Sequence, residues 1–218
     1  MTREQLIRNV ALKMDEISSS DDVEIDIHAG DNNPLYAQID GLLNESVNEV
    51  LMKAPVYRLN NFVVMKTCSA DDGSLIVGKN TPNTRTIAII VVPSDFLRFI
   101  TIRDTAFQRP ITELSFEGDD TDKRQQNKHL IAKSAKPVAV MANNVDSLRI
   151  TCYSYANDVT PSPTLRYIKR FGYSVDASLL DDYMIDAVSW VCAGKVFSAQ
   201  GDINKAKTCD ENAVSIMI

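Results

Sequence analysis

One segment of the chain has the spacing of a nucleotide-binding motif. Gly73, Gly78 and Lys79 match the glycines and the lysine of a phosphate-binding loop, in which amides at a helix N-terminus bind phosphate. That loop also needs a hydroxyl residue directly after the lysine, but Asn80 stands there, and Pro82 interrupts the place where the helix would begin. The apolar run between the two glycines favours a β-strand. We therefore interpret the segment as a strand and do not predict a nucleotide site.

Neighbouring carboxylates could serve general acid–base catalysis if burial shifted the pKa of one of them away from its ordinary value. Such pairs occur at residues 71–72, at 119–120 and at 181–182. Adjacent acids in turns are ordinarily hydrated, and acids in the first turn of a helix are also favoured by the helix dipole. No serine lies in the Gly-x-Ser-x-Gly motif of hydrolases. The sequence therefore predicts no catalytic residue and no enzymatic activity.

The cysteines and histidines do not have the spacing of a metal site. His28 and His129 fall in polar stretches, and neither has a second ligand at helical spacing. The cysteines lie far apart, without the Cys-x-x-Cys spacing of a zinc or redox site. We therefore predict neither metal nor cofactor, and we interpret the cysteines as reduced, buried, small apolar residues. They are Cys68, Cys152, Cys192 and Cys209.

Charge is unevenly distributed along the chain. Residues 1–57 carry a net charge of −7, residues 58–155 a net +3 and residues 156–218 a net −2, for a total of −6. A negative net charge argues against a protein whose main function is to bind nucleic acid. A basic cluster in the middle third is either a solvated loop or an electrostatic contact with an acidic partner chain. Its members are Lys123, Arg124, Lys128, Lys133 and Lys136.

A second candidate contact follows the predicted strand at 96–103. Arg103, Phe107 and Arg109 lie where the chain leaves this strand. An arginine-rich loop in this place either docks onto a neighbouring subunit or is an ordinary surface loop. Both interpretations stay open on the sequence.

The N-terminal part is typical of two helices. Thr2 and Gln5 have capping-box spacing, and apolar residues then recur every three or four positions over 3–18. A polar, acidic linker follows. Pro34 stands at the first position of a second helix over 34–54, whose apolar stripe ends before a proline.

The C-terminal part predicts two further helices. Ser178 is the expected N-cap of the first, in which apolar residues recur until Gly201 ends it. Asp202 is then expected to cap the last helix, over 203–216.

Between the two helix pairs, β-branched clusters alternate with turn signals. Six strands are predicted, over 62–66, 74–78, 84–92, 96–103, 138–141 and 148–155. Residues 104–136 are mostly polar and are expected to form a long arm. A segment of this composition cannot offset its chain entropy alone, which favours ordering on contact with a partner, and whether it orders only on assembly stays open on the sequence. Proteolysis of the free chain should then begin within 117–136.

Together these elements predict an α+β fold. Residues 1–57 and 156–218 are expected to pack into one helical bundle, and residues 58–155 to form an inserted, sandwich- or barrel-like β subdomain carrying the arm at 104–136. The longest apolar run, at 87–93, is far below the roughly 18 residues that a membrane span requires, and no apolar signal segment follows the N-terminus. We therefore expect neither a membrane span nor a secretion signal.

Several segments carry a family resemblance. The first is IDGLLNESVNEVL at 39–51, followed by Pro55, and the others are DAVSWVCA at 186–193 and GDINKA at 201–206. They resemble the opening and the closing helices of the head-to-tail connector (adaptor or ring) proteins of tailed bacteriophages. These motifs are structural and carry no catalytic signature.

Three further segments narrow the resemblance. They are PSDFLR at 93–98, QRPITEL at 108–114 and KPV at 136–138. Within the connector proteins, they look most like the ring proteins of crAss-like phages of gut Bacteroidales.

The resemblance implies a structural virion protein made in the cytoplasm of a bacterial host and located in the neck of the virion. It implies a ring, commonly of twelve copies, that docks beneath the portal protein, contacts adjacent ring or tail proteins, and carries the double-stranded DNA channel toward the tail. DNA would pass without sequence-specific binding, and an acidic channel wall would discourage sticking. Two alternatives stay open: a tail-completion or capsid-associated binding protein, and an NTP-binding packaging protein.

Overall fold

The structure is a computed structural model that describes residues 1–18, 34–80, 85–127, 129–144, 147–157, 159–172 and 177–217. The predicted linker after residue 18 and the candidate N-cap residues before Pro34 lie outside these ranges. The chain forms two compact units. We call Met1–Phe62 with Arg170–Ile218 the helical unit, and Val63–Lys169 the β unit.

The described residues form five α-helices and eight β-strands. The helices are α1 (Arg3–Ser18), α2 (Pro34–Lys53), α3 (Asp120–Gln125), α4 (Asp182–Gln200) and α5 (Ile203–Met217). The strands are β1 (Val63–Thr67), β2 (Leu75–Lys79), β3 (Thr86–Val91), β4 (Phe96–Arg103), β5 (Ser115–Phe116), β6 (Val138–Asn144), β7 (Ser147–Tyr153) and β8 (Thr164–Lys169). The predicted α+β fold class is confirmed, with terminal helices flanking a β-rich middle region. None of the described helices combines the length and the apolar character that crossing a membrane requires.

α4 is the central helix of the helical unit. It packs against α1, α2 and α5. Apolar or small residues surround most of its circumference between Met184 and Phe197, a pattern typical of a helix buried on all sides. Trp190, near its middle, is only 5% exposed. The predicted association of the terminal helices in one bundle is therefore confirmed.

The helix ends follow local cap chemistry. At α1, the Gln5 amide donates to Thr2 Oγ1 (3.2 Å) and the Thr2 amide donates to Gln5 Oε1 (2.8 Å), which confirms the capping box. Gly201 ends α4 as predicted, at a φ of 86° that most side chains avoid. At α5, Asp202 accepts a hydrogen bond from the Lys205 amide (3.1 Å) and is the predicted cap.

The start of α4 differs from the prediction. Ser178 lies in a short 3-10 turn, Ala177–Leu179, and is not the N-cap. Asp181 caps the helix instead, by accepting a hydrogen bond from the Met184 amide (2.8 Å). A carboxylate at this position also interacts favourably with the helix dipole, so the acid and not the upstream serine sets the helix start.

The segment at 170–172 is tied to α2. The Asn48 side chain accepts a hydrogen bond from the Phe171 amide (2.7 Å) and donates one to the Phe171 carbonyl (3.1 Å). The Phe171 ring also packs against Phe62, with ring centroids 5.6 Å apart. The two places where the chain leaves and re-enters the helical unit therefore lie side by side.

The β unit contains two sheets around one core. In the first sheet, β8 lies between β1 and β4 and is antiparallel to both. In the second, the order is β2-β3-β7-β6-β5, and only β5 and β6 are parallel. Leu165 and Tyr167 of β8 belong to the same buried cluster as Ile90 and Ile150 of the second sheet. The unit is therefore sandwich-like.

The six predicted strands are confirmed as β1 to β4, β6 and β7. The two-residue β5 and the longer β8 were not predicted. Pro161 and Pro163 stand just before β8 and are typical of a loop. The structure divides the chain at 62/63 and 169/170, whereas the predicted boundaries at 57/58 and 155/156 leave β8 outside the β subdomain.

Lys195 of α4 joins two acids of α2. Its Nζ lies 2.6 Å from Glu45 Oε1 and 2.9 Å from Glu49 Oε2, and Glu49 also pairs with Lys53 (2.6 Å). Burial alone would raise the pKa of Glu49, but the hydrogen bonds from Lys53 and Lys195 outweigh burial and lower the pKa. These ion pairs connect α2 to α4 at the surface of the helical unit.

Two helical glycines give a matched test of the packing between α4 and α5. A Cβ at Gly194 would lie 3.2 Å from Cys209 Cβ, whereas one at Gly41 of α2 would meet nothing within 4 Å. We predict that Gly41→Ala raises the free energy of unfolding by about 0.5–1 kcal/mol. Gly194→Ala should give no such gain, and Gly194→Val should lower the free energy of unfolding by about 1–3 kcal/mol because it separates the helices. Urea denaturation measures all three, and an equal gain at both positions would contradict the packing.

We predict that Glu49 contributes to acid sensitivity of the helical unit. Its folded-state pKa is lowered, so its stabilisation is present above the ordinary value of 4.5 and is lost as pH falls through the lowered value. Glu49→Gln should lower the free energy of unfolding by roughly 0.5–1 kcal/mol at neutral pH and flatten its decline in acid. Glu45→Gln, at a side chain that is 67% exposed, is the control and should have a smaller effect. Urea titrations across this pH range test the prediction, which fails if the two variants have the same pH profile.

Candidate partner-contact surface

A tight turn at 133–136 lies at the centre of the candidate surface. The Lys136 amide donates a hydrogen bond to the Lys133 carbonyl (2.8 Å), which closes the turn. The Ser134 carbonyl accepts one from the Gln108 amide (3.0 Å), so the turn is fixed to the segment that follows β4. Lys133 and Lys136 are both exposed. The turn therefore presents two cations at defined positions.

Gln125, at the end of α3, anchors the segment that leads to this turn. It is only 2% exposed. Its Oε1 accepts a hydrogen bond from the Ala132 amide (3.0 Å), and its Nε2 donates to the Thr121 carbonyl (3.0 Å). Its own carbonyl accepts a hydrogen bond from Asn80 Nδ2 (3.0 Å). A buried amide with this many partners fixes the connection between α3 and the turn.

The structure differs from the expected long arm at 104–136. β5 pairs with β6, α3 follows it, and Ile111 forms an antiparallel bridge with Ile102. Phe107 and Ala132 are buried as well. The segment has few apolar side chains, of which Phe107, Ile111 and Ala132 are buried while Phe116 and Leu130 are exposed, and its buried polar residue Gln125 is hydrogen-bonded. First cleavage of the free chain within 117–136 stays a prediction that limited proteolysis tests.

Basic side chains line three neighbouring cavities around the turn. A cavity of about 460 Å³ has Arg85 and Lys133 in its lining. A second, of about 370 Å³, has Arg124, Lys133 and Lys136, and a third, also of about 370 Å³, has Arg109 and Lys136. Because Lys133 and Lys136 are shared, the five side chains form one continuous feature, which we call the cationic surface. Sequence reasoning missed Arg85, since an isolated arginine before a strand carries no signal.

Four of the five cations form no ion pair within the described ranges. There, no carboxylate forms an ion pair with Arg109, Arg124, Lys133 or Lys136. Glu113 is an acidic residue in the lining of the third cavity. Cations without an internal partner attract anions through their field, and carboxylates or phosphates add charge-assisted hydrogen bonds. The surface is therefore suited to an acidic partner.

The other predicted contact residues lie elsewhere. Arg103 at the end of β4 and Lys123 on α3 are exposed, but neither is in the lining of the three cavities. Phe107 is 8% exposed, and its ring centroid lies 4.8 Å from that of Tyr155. It is therefore a core residue and not an exposed contact, because stacking on a buried tyrosine holds it inside. Lys128 lies outside the described residues.

Asp104 fixes the chain after β4, and sequence reasoning missed it. Its Oδ2 accepts hydrogen bonds from the Tyr155 hydroxyl (2.9 Å) and the Ser162 amide (2.8 Å), and its Oδ1 accepts one from the Ala106 amide (2.9 Å). Burial raises the pKa of Tyr155, so the phenol remains a donor. An aspartate that binds an amide two residues on is a known turn signal, but the distant tyrosine contact has no local signature.

The cysteines are buried and unpaired, as predicted. Burial raises the pKa of Cys192 to about 11 and that of Cys209 to about 12. Thiols of this kind stay protonated near neutral pH and are poor nucleophiles. Within the described ranges, no group of three or more His, Cys, Asp or Glu residues could hold a metal ion.

The segment with nucleotide-motif spacing is β2, which confirms its interpretation as a strand. It pairs with β3 along its whole length, and Lys79 is its last residue. Gly73 lies in the turn before it, with a φ of 69°. Amides that pair with a neighbouring strand are not available to wrap a phosphate as the start of a helix does.

No family model matches the chain, and no curated protein matches its sequence. The resemblance to phage connector proteins therefore stays a prediction. The cationic surface, in contrast, follows from the geometry of this chain alone.

Gln125 and Gln126 provide a matched test of the anchor, since they are adjacent amides of which one is buried and one exposed. We predict that Gln125→Ala increases the initial rate of tryptic cleavage after Lys133 by about tenfold, because the Ala132 amide loses its acceptor. Gln126→Ala should cleave at the wild-type rate. Mass spectrometry of a limited digest identifies the first cuts. Equal protection in both variants would show that Gln125 does not hold this segment.

Proposed function

We propose that this chain is a structural subunit of a head-to-tail connector ring in a tailed bacteriophage. In this role it docks on the portal protein, extends the DNA channel toward adjacent ring or tail proteins, and catalyses no reaction. The observation that carries the proposal is the division of charge between its two units. The helical unit has 9 Lys and Arg against 18 Asp and Glu, a net −9, whereas the β unit has 14 against 11, a net +3.

Unlike charges on different parts of one chain favour contacts between different patches of identical copies. A contact between unlike patches is head-to-tail, and repetition closes it into a ring when the rotation allows closure. The cationic surface supplies four cations that form no ion pair in the described part of their own chain, and they are Arg109, Arg124, Lys133 and Lys136. Exposed acids of the helical unit supply the opposite charge, among them Asp40, Glu45, Asp186 and Glu211, whose side chains are at least 45% exposed. The number of twelve copies rests on the resemblance alone.

The same division of charge suits a channel for DNA. A strongly acidic helical unit repels the phosphate backbone, which favours passage over binding. The β unit would then serve contacts with proteins, where the acidic partner can be a sibling, the portal or a tail component. This arrangement requires no sequence-specific contact with the duplex.

A tail-completion or capsid-associated binding protein is the second candidate. It would use the same cationic surface but assemble with another symmetry or stay monomeric until docked. An NTP-binding packaging protein is less favoured, because Lys79 ends a paired strand.

The test is assembly on a portal template. Native mass spectrometry and negative-stain electron microscopy of the chain, alone and with the portal protein of the same phage, should yield a twelve-copy ring on the portal. The double variant Lys133→Glu/Lys136→Glu should weaken assembly at least tenfold, and added salt should weaken the wild type.

Lys79→Glu is the matched control, because it changes the charge of the same unit outside the cationic surface. It should assemble normally, and the protein should not bind ATP before or after the change. A portal complex of different symmetry would support the second candidate, and ATP binding that Lys79→Glu abolishes would support the packaging alternative. Equal assembly of the double variant and the wild type would overturn the role of the cationic surface.

A further inference from the structure

The second cavity of the cationic surface, which we call the amphipathic cavity, has both apolar and basic residues in its lining. Its volume is about 370 Å³. The basic residues are Arg124, Lys133 and Lys136, and the apolar ones are Leu130, Ile131, Ala132, Ala135 and Val138. A cavity of this composition suits a partner segment that presents an apolar side chain beside an acidic one.

Leu130 is the apolar residue of this cavity that a partner can cover. It is 57% exposed, although its amide donates a hydrogen bond to the Asn127 carbonyl (3.0 Å) and its backbone is therefore held in place. Two residues later, the Ala132 amide is held by Gln125. Removal of an exposed leucine side chain from water favours association, and a fixed backbone reduces the entropy that association costs.

The three cations of the amphipathic cavity are exposed and form no ion pair in the described part of the chain. Thr121, in the same lining, has Asp120 and Asp122 as its neighbours in sequence, and neither pairs with these cations. Asp122 instead accepts a hydrogen bond from the Gly118 amide (3.0 Å). The charge beside Leu130 is therefore available to a partner.

α5 presents a complementary side in the helical unit. Its buried residues recur every three or four positions, as expected of the side that packs against α4, and they are Ala206, Cys209, Ala213 and Met217. Asp210, Glu211 and Val214 are exposed, and we call these three residues the α5 face. Side chains three and four positions apart on a helix are neighbours. Val214, which is 47% exposed, therefore has two carboxylates beside it.

This environment distinguishes Val214 from the other exposed large apolar residues on the described α-helices of the helical unit. Those residues are Leu12, Met52 and Ile203, and each has a lysine or an arginine within four positions in sequence. Val214 has none within four positions and has both acids. A basic cavity therefore discriminates in favour of Val214.

The acids of the α5 face are also weakly engaged within their own chain. Asp210 forms no ion pair in the described ranges, and Glu211 lies 3.8 Å from Lys207, with both side chains exposed. The other exposed acids named above lie within 3.1 Å of a cation of their own chain. An intermolecular contact with the α5 face therefore breaks few internal interactions.

We propose that the amphipathic cavity of one copy binds the α5 face of a second copy of this chain. In this contact Val214 packs against Leu130, and the two carboxylates pair with Arg124 and Lys136. The two surfaces are different, so the contact is heterologous and can pass from copy to copy. The inference rests on the proposed function in that the neighbours in the proposed ring are copies of this chain.

Disulfide crosslinking of the free chain tests the contact. A Leu130→Cys chain is mixed with a Val214→Cys chain under mild oxidation, and nonreducing electrophoresis follows the rate at which the covalent dimer forms. The native cysteines are buried, so they do not compete, and both substituted residues are exposed, so neither change removes core packing. Mass spectrometry of the digested dimer identifies the joined peptides.

Leu130→Cys mixed with Ile203→Cys is the matched control. Ile203 is 76% exposed on the same helix, about 16 Å along its axis from Val214. The Val214 pair should crosslink about tenfold faster than this control, because the contact brings its two thiols together.

Charge reversal gives an independent readout. Glu211→Lys in the Val214→Cys chain should slow crosslinking about tenfold, because like charges then face each other. Lys136→Glu in the Leu130→Cys chain should restore the rate to within about threefold of the original pair. Glu4→Lys, which reverses an exposed acid on α1, is the control and should leave the rate unchanged.

Equal rates for the Val214 and Ile203 pairs, or a rate that Glu211→Lys leaves unchanged, would overturn the proposal. It also fails if the Leu130→Cys chain crosslinks to itself as fast as to the Val214→Cys chain, since that result requires a symmetric contact. The crosslinking needs no portal protein, so the two proposals can fail separately. Crosslinking without a ring on the portal contradicts only the proposed function, and a ring without this crosslink contradicts only the contact.

Discussion

The burial of α4 on all sides is the constraint on which the helical unit depends. A helix with apolar residues around its circumference is stable only when several partners cover it, and here α1, α2 and α5 do so. Two of these partners come from the beginning of the chain and one from its end. The bundle therefore forms only when both ends of the chain are together, although the β unit separates them in sequence. Gly194 adds to this constraint, because α5 packs so close to α4 at this position that even the methyl group of an alanine would be crowded.

The β unit has a core of its own, so its sheets provide stability while the segment between β4 and β6 carries the charged surface. Two sheets share one buried cluster, so the polar segment between β4 and β6 can carry charged side chains without weakening that core. Buried polar anchors compensate for its few apolar residues: Gln125 holds one part of the segment, and Asp104 holds another. The result is a surface on which cations stand in fixed places, which is what recognition of an anionic partner requires.

How well the sequence predicts this structure depends on how local the signal is. Helices α1, α2 and α5 and six strands follow from periodicity and caps, because each signal lies within a few residues. β8 was missed because its place between β1 and β4 depends on strands that are distant in sequence. The N-cap of α4 was assigned to Ser178 and not to Asp181 because serine and aspartate are both favoured at N-caps, so the local sequence does not distinguish them. Lys133 and Lys136 were predicted as a contact from charge alone. Arg85 could not be predicted in this way, since only the fold brings it into the same cavity lining as Lys133.

The pairing of Phe62 with Phe171 has a consequence for how such a protein can diversify. The two rings mark the borders of the inserted β unit, and their contact, with the Asn48 bridge beside it, closes the helical unit at this point without help from the insert. Exchange of everything between them for another module, or for a short peptide, would leave the bundle's hydrogen bonds and ring contact intact. Recombination can therefore exchange the inserted β unit for another contact module while the helical unit keeps its own packing.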